Sequence, residues 1–370
     1  MYSYQPLLNI DLNAIAKNWR YIQSISHGAE VSAVVKADAY GLGAIPIASE
    51  LEKHGCRSFF VATLDEAIEL SSVLRKSSDI FVFDGYHKNF VGEYSHHNFI
   101  PVLNSIEQMH HWVDSIRSNR CAVMIDTGMN RLGLSTSQVL TALTKYAVKP
   151  RYFLSHLACA DQPENPMNRQ QLSTFSSLLK EVPRDYPLKI SLSSSSGVFL
   201  GKSYCMDMVR PGIALYGSQT FAAENSPLIN PVVELNAPII QLRELEEDVP
   251  VGYGATETVA KGSLLATVRI GYADGIWRHL QGRLKGYIQG VAVSLVGRVS
   301  MDYCTFDLTP LKIQYPHFPV RVGDFLSILN NQQTIDDVAA MANTIPYEVL
   351  TSLGNRCRRI YASESAEGCL

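Results

Sequence analysis

The sequence predicts an α/β chain: a (β/α)8 TIM-like barrel followed by a mainly β C-terminal domain. Three observations lead there. Between about residues 30 and 217, short apolar runs alternate with longer stretches of helical spacing, which is the pattern of βαβ units. Eight such runs can be counted, the number a closed parallel barrel needs. After Gly217 the texture changes to turn formers and then to β-branched and aromatic runs, and 370 residues exceed what one core usually supports.

The first element, LLNIDL at 7–12, precedes the first barrel helix and is expected to pair with the β domain. The predicted boundaries are therefore 1–10 for this strand, 11–230 for the barrel and 231–370 for the C-terminal domain, with a linker around 218–231. The expected barrel strands are 31–35, 58–62, 79–83, 99–103, 121–125, 152–155, 188–192 and 205–209. Helices are expected at 44–54, 64–76, 105–118, 137–147, 168–180 and 196–202, the second carrying Asp65 and Glu66 early, where the helix dipole favours acids. A doubly wound open sheet stays an alternative, because counting strands does not show closure; no Gly-x-Gly-x-x-Gly follows the first strand. The later strands are expected at 232–243, 263–270, 287–297, 303–308 and 325–329, with helices near 334–343 and 347–353.

Composition narrows the function classes. With 32 basic against 35 acidic side chains, the formal charge is −3, and no basic block is set against a phosphate backbone or an anionic lipid surface. No stretch reaches the length a membrane helix needs, and the opening residues lack the basic and apolar pattern of a secretory signal, so a cytoplasmic protein is expected. The seven cysteines are widely spaced without a C-x-x-C pair, which predicts reduced packing residues and no metal site.

In such a barrel the chemistry gathers at the C-terminal ends of the strands. Strand one ends in Lys36, strand five in Asp126 and then Arg131, strand six in His156, strand seven in Ser193–Ser196 and strand eight in Arg210. An ammonium leaving a dry strand loses its proton easily, which suits a Schiff-base nucleophile; taken alone, a strand-end lysine simply snorkels. Tyr40, Gly41 and Gly43 follow at once and favour the functional reading. The run SLSSSSG at 191–197 opens a helix, and VRPGIALYG puts Gly212 where a backbone can approach a ligand; together they suit a phosphate, although each alone reads as a plain loop.

The motifs VVKADAYGLGA, DTGMNRLG, SHLACAD, VRPGIALYG, VGYGAT, GYADG, GRVSMD and PYEVL occur in that order, and through them the chain resembles the bacterial alanine racemases from about residue 5 to 360. The resemblance implies a pyridoxal-phosphate enzyme that interconverts L- and D-alanine, a homodimer with shared sites. Lys36 matches the lysine that carries the cofactor and acts as base on the D-face; Tyr253, from the partner chain, matches the base on the L-face. Arg210 matches the arginine at the pyridine nitrogen, His156 its link to Tyr253, and Arg131 the arginine near the phenolic oxygen. Tyr40, Ser195, Gly212, Ile213 and Tyr347 match the phosphate cradle. Met301 and Asp302 match residues at the substrate carboxylate, and Tyr272 a tyrosine of the narrow entrance. D-alanine for peptidoglycan and alanine breakdown are both uses open to such an enzyme.

The chain departs from the family pattern in places. Met124 stands where a carbamylated lysine commonly supports the arginine, so Arg131 needs an anion or another side chain. Ser194 stands where asparagine is frequent, and Ser300 where cysteine is. Rival readings are a serine or broad-specificity racemase, a decarboxylase of similar architecture, and a non-catalytic cofactor-binding barrel, which typically lacks the second domain. A metal hydrolase using His156 and Asp161 lacks a His-x-His or clustered carboxylates.

Overall fold

Residues Glu30–Val31 and Ala33–Val34, Ser58–Val61, Asp79–Val82, Ile100–Leu103, Ala122–Met124, Tyr152–Leu154, Lys189–Ser191 and Met208–Val209 form the eight short parallel strands of the expected barrel. The computed structural model describes residues 4–97, 99–116, 118, 120–146, 149–182, 187–219 and 229–363. They fall into two units: Ile15–Asn230, and Met1–Ala14 together with Pro231–Leu370. Part of the expected linker, 220–228, lies outside the described residues.

Closure of the barrel is visible in its hydrogen bonds. On one side of the eighth strand, Asp207 N donates to Ile190 O (3.0 Å) and Arg210 N to Ser193 O (2.9 Å). On the other, Glu30 N donates to Asp207 O (2.9 Å), Ser32 N to Val209 O (3.0 Å) and Val34 N to Pro211 O (2.9 Å). The last strand thus bonds the first, and the open-sheet alternative is excluded. Both faces of these strands are buried, so they read as continuous apolar runs. Phe60 stacks on Phe81 at 4.2 Å, and Phe81 meets Tyr152 edge-on at 4.8 Å.

The N-terminal ends of the strands carry charges that neutralise each other. Arg120 pairs with Asp79 at 2.6 Å, Tyr152 Oη donates to the same carboxylate, and Lys189 pairs with Glu30 at 2.6 Å. The helix Leu64–Ser71 opens with a reciprocal cap between Thr63 and Glu66, and Ile106–Ser115 with Ser105 accepting from Gln108 N. The first of these ends five residues short of the expected 76, because Ser72 N and Val73 N turn to i−3 carbonyls.

In the other unit, the strand Leu7–Asp11 runs antiparallel to Val233–Glu244 and parallel to Arg358–Ala362. The sheet continues from Val233–Glu244 through Phe325–Leu329, Lys285–Ile288, Val291–Val296 and Cys304–Asp307 to Leu264–Val268, which returns to pair with Val233–Glu244. The single run expected at 287–297 is two strands. Gln289 (φ 51°) and Gly290 (φ 75°) both take positive φ, which turns the chain back as a two-residue hairpin. The hairpin Val249–Val251 with Glu257–Val259 and the charged edge strand Arg358–Ala362 carry too little apolar alternation to be expected. Among the described residues the six cysteines are free, no group of acidic, histidine or cysteine side chains is placed to hold a metal, and no helix is long and apolar enough to cross a membrane. Cys369 lies outside the described residues.

Candidate active site

Strand one leads straight into a strained turn. Ala37, Asp38, Ala39 and Tyr40 all adopt left-handed helical backbone, with φ between 50° and 59°. Such conformations are unfavourable for residues with a Cβ and persist only where surrounding contacts hold them. Those contacts are present: Ala37 N donates to Glu66 Oε1 (2.7 Å), Ala44 N to Asp38 Oδ1 (2.7 Å), Gly43 N to Asp38 O (2.8 Å) and Ala39 N to Val35 O (2.9 Å). Lys36, immediately before the turn, is half-buried with its ammonium 5.7 Å from the Phe83 ring centroid. Burial and the nearby Arg131 lower its proton affinity, while Glu66 and Asp84 oppose them.

After strand five, Asp126 folds the loop by accepting from Gly128 N (2.9 Å) and Asn130 N (3.1 Å), and Leu134 N returns to Met124 O. Arg131 projects from this loop and makes no hydrogen bond to the protein among the described residues. Met124 offers it no acceptor, and no carboxylate or amide side chain among the described residues bonds it in that place.

Strand six ends in Ser155 and His156. Burial, then the cations Arg210, Arg131 and Lys36, push the imidazole down to about 3, so it is neutral at ordinary pH. Behind it lies Gln171, a fully buried amide. Its Nε2 donates to His156 O (2.9 Å) and Thr127 Oγ1 (3.1 Å), and its Oε1 accepts from Ala158 N (2.8 Å). It ties the loops after strands five and six together. The sequence reading missed Gln171; the available signal was a polar residue on the apolar stripe that also carries Phe175, Leu178 and Leu179.

Strands seven and eight supply the rest. Arg210 is 3% exposed and donates from Nη1 to Ser191 Oγ and from Nη2 to Ser155 O (2.5 Å) and Leu192 O (3.4 Å). Burial pushes its guanidinium down to about 10, still charged at neutral pH. All three partners are neutral oxygens, and Nε–H has no protein acceptor among the described residues. Ser195 Oγ accepts from Gly212 N (2.9 Å) and Ala214 N (3.1 Å), which leaves its own O–H to donate outward. A Cβ on Gly212 would lie 2.2 Å from Tyr40 Oη, so only glycine admits the phenol here. Tyr216, donating to Val34 O (2.8 Å), supports the Tyr40 ring at 4.8 Å, and Ile213 is buried beside them in sequence.

The remaining candidates lie on the other unit. Tyr253 is 68% exposed at the tip of a hairpin, between Gly252 (φ 74°) and Gly254 (φ 77°). Tyr272 and Met301 are likewise exposed, and Tyr347 is half-buried at the start of the helix Pro346–Thr351. Tyr272 N bonds Ser300 O and Ala273 N bonds Met301 O (both 3.0 Å), which holds the two segments together. Arg356, which no sequence signal marked, clamps them: it binds Asp274 through Nε (2.7 Å) and Nη2 (2.8 Å), and Asp302 through Nη1 (2.6 Å). The Asp274 carboxylate is almost wholly buried and also accepts from Gly271 N.

The barrel mouth thus holds a lysine of weakened proton affinity, a buried arginine with a donor to spare, and a hydroxyl and phenol crowded against a glycine backbone. A heteroaromatic nitrogen fits the arginine, and an anionic group fits the hydroxyl donors. Family models for the N-terminal and C-terminal domains of alanine racemase match residues 10–220 and 232–361. The alanine racemase of Cereibacter sphaeroides is 41% identical over 97% of this chain and 99% of its own length, and that of Rickettsia canadensis 39% identical over 96% and 98%. Among solved structures, the alanine racemase of Bartonella henselae with covalently bound pyridoxal phosphate is 35% identical, with a TM-score of 0.88 over 97% of this chain and 99% of that one. The alanine racemase of Bacillus anthracis with bound L-Ala-P is 25% identical, with a TM-score of 0.85 over 98% and 96%.

Gln171 offers a direct test of how the mouth is held. Gln171→Met fills a similar volume but leaves His156 O and Ala158 N without their partner and Thr127 with Ser155 alone, so chemical denaturation should show a loss of roughly 3 kcal/mol. A loss under about 0.5 kcal/mol would mean that these groups find other partners.

Proposed function

This chain belongs to the alanine racemase family, and we propose that it interconverts L- and D-alanine with pyridoxal phosphate and two bases, Lys36 on the D-face and Tyr253 of the partner subunit on the L-face. The observation that carries the reading is the convergence, in one barrel mouth, of Lys36 with the Tyr40, Ser195 and Gly212 cradle and the buried Arg210. When bound, pyridoxal phosphate withdraws electrons from the substrate's Cα, so that the Cα proton comes within reach of side-chain bases.

The chain's own residues then divide the work. Lys36 would hold the cofactor, and its free amine would take or return the Cα proton on one face, helped by a burial that favours its neutral form. The phenol of Tyr253 serves the opposite face, and its high exposure in one chain is in keeping with service to another. Arg210 offers donors only, so a ring nitrogen placed against it would accept a hydrogen bond and gain no proton. By the family resemblance His156 would link Arg210 to the phenol, and a neutral imidazole would do so without adding charge. Ser195 O–H, Tyr40 and the backbone at Gly212 and Ile213 would hold the phosphate, a role that the family resemblance also gives to Tyr347. Met301, Asp302 and Tyr272 line the substrate end, where a narrow aromatic entrance excludes longer side chains.

Borohydride reduction of the yellow holoenzyme should abolish its visible absorbance and leave the cofactor adduct on Lys36 by mass spectrometry. An adduct on another lysine overturns the site. Mixing inactive Lys36→Ala with inactive Tyr253→Phe should restore part of the activity once tagged co-purification shows subunit exchange, because a mixed dimer regains one site with both bases. Exchange without recovery would place both bases in one chain. Arg131 has no protein acceptor among the described residues, so we assign a small anion to the place left by Met124. Activity of chloride-free enzyme should then rise with chloride beyond the effect of an inert salt at equal ionic strength, and Met124→Lys should lose that response. A flat chloride response in the parent enzyme discards the anion.

A further inference from the structure

Glu66 entered the sequence reading only as an acid near a helix N-terminus, yet its carboxylate reaches well beyond its own helix. Oε2 accepts from Ala62 N (2.7 Å) and Thr63 N (3.3 Å), which closes the cap with Thr63. Oε1 crosses to the neighbouring strand end and accepts from Ala37 N (2.7 Å), the first amide after Lys36. One side chain therefore fixes the end of strand two to the left-handed turn that follows strand one. We propose that Glu66 is a positioning residue for the Lys36 amine: it pins the strained turn behind Lys36 and sets a negative charge beside that amine.

The charge acts among a small set of neighbours. Arg131 faces Lys36 as a like charge, Asp84 as a second carboxylate, and the Phe83 ring lies against the ammonium. Lys36 in turn is one of the cations that keep His156 neutral. Burial and Arg131 weaken the amine as a base, and Glu66 with Asp84 keeps that weakening in check. The proposal rests on Lys36 as the cofactor-bearing D-face base.

Racemisation has a built-in constraint that shapes the test. The two enantiomers have equal free energy, so kcat/KM must be equal in both directions for every variant, and a defect at one base shows instead in isotope effects. With holoenzyme, Glu66→Gln should lower turnover about tenfold, through loss of charge-assisted hydrogen bonds. The acid limb of its kcat profile should move to lower pH, because the lost negative charge had favoured protonated Lys36. The Cα-deuterium effect on kcat should rise more with D-alanine, from which Lys36 removes the proton, than with L-alanine. Hydrogen exchange should quicken across residues 37–43. Glu66→Asp keeps the charge but is too short to span both amides, so it should loosen the turn without moving the acid limb. Thr63→Ala keeps the carboxylate and removes the cap hydroxyl; it should lower stability and leave limb and isotope asymmetry unchanged. If Glu66→Gln leaves the limb in place, or if Thr63→Ala moves it equally, Glu66 is a helix cap only and the proposal falls. The borohydride adduct separates the two failures: an adduct elsewhere than Lys36 overturns the assignment of the lysine, whereas an adduct on Lys36 with an unmoved profile overturns only Glu66.

Discussion

Everything in the barrel mouth depends on the bonding of the last strand to the first. Val34 N to Pro211 O is the outermost bond of that seam, and it sets Lys36 and Gly212 on neighbouring strand ends although most of the barrel separates them in sequence. Tyr216 doubles the seam from the side, its hydroxyl on Val34 O and its ring beneath Tyr40. A hydrogen-bond register fixes positions to a few tenths of an ångström, and cradle contacts as close as that of Tyr40 on Gly212 demand such precision. In an open sheet the first and last of these eight strands would not meet in this way, and Lys36 and Gly212 would lose their common floor.

The two ends of the same barrel treat charge in opposite ways. At the N-terminal end two ion pairs form, Asp79 with Arg120 and Glu30 with Lys189. At the C-terminal end, Arg210 is held by neutral oxygens only and Arg131 by no protein group among the described residues. Glu66 and Asp84 act on Lys36, yet burial first, and then the fields of Arg210, Arg131 and Lys36, keep the His156 imidazole neutral. A buried guanidinium without a carboxylate is costly unless something else completes its bonding. The uncompensated guanidinium groups at this end favour an anionic, acceptor-rich cofactor over a neutral one.

Much of this was legible in the sequence, for a physical reason. A parallel strand buried on both faces must be an apolar run, and the residue that ends the run must face the mouth; Lys36, His156 and Arg210 announce themselves by being polar there. The hairpin at Lys285–Ile288 and Val291–Val296 was read as one strand because Gln289 and Gly290 interrupt an otherwise unbroken β pattern by only two residues. Gln171 and Arg356 were not legible, since their importance lies in which loops they tie together, and that is a property of tertiary contacts. Glu66 was half legible: its spacing from Thr63 announces a cap, and nothing in that spacing points to Ala37.

The left-handed turn shows why such supports are needed. At about 1–2 kcal/mol for each residue with a Cβ, four consecutive residues in that conformation cost roughly 4–8 kcal/mol. That is comparable to the entire folding stability of an ordinary domain, so the turn cannot rest on its own preferences. Its conformation has to be imposed by bonds from outside and across it, and Glu66, Asp38 and Gly43 supply them. What the conformation secures is geometric. It reverses the chain within four residues of Lys36, so that Tyr40 lies buried against Tyr216 and Gly212 while Lys36 keeps its place at the strand end. A right-handed turn would wind the chain in the opposite sense and send Tyr40 elsewhere. Strain, cradle and lysine are therefore parts of one constraint, and residues that relieve the strain act on the lysine whether or not they touch it.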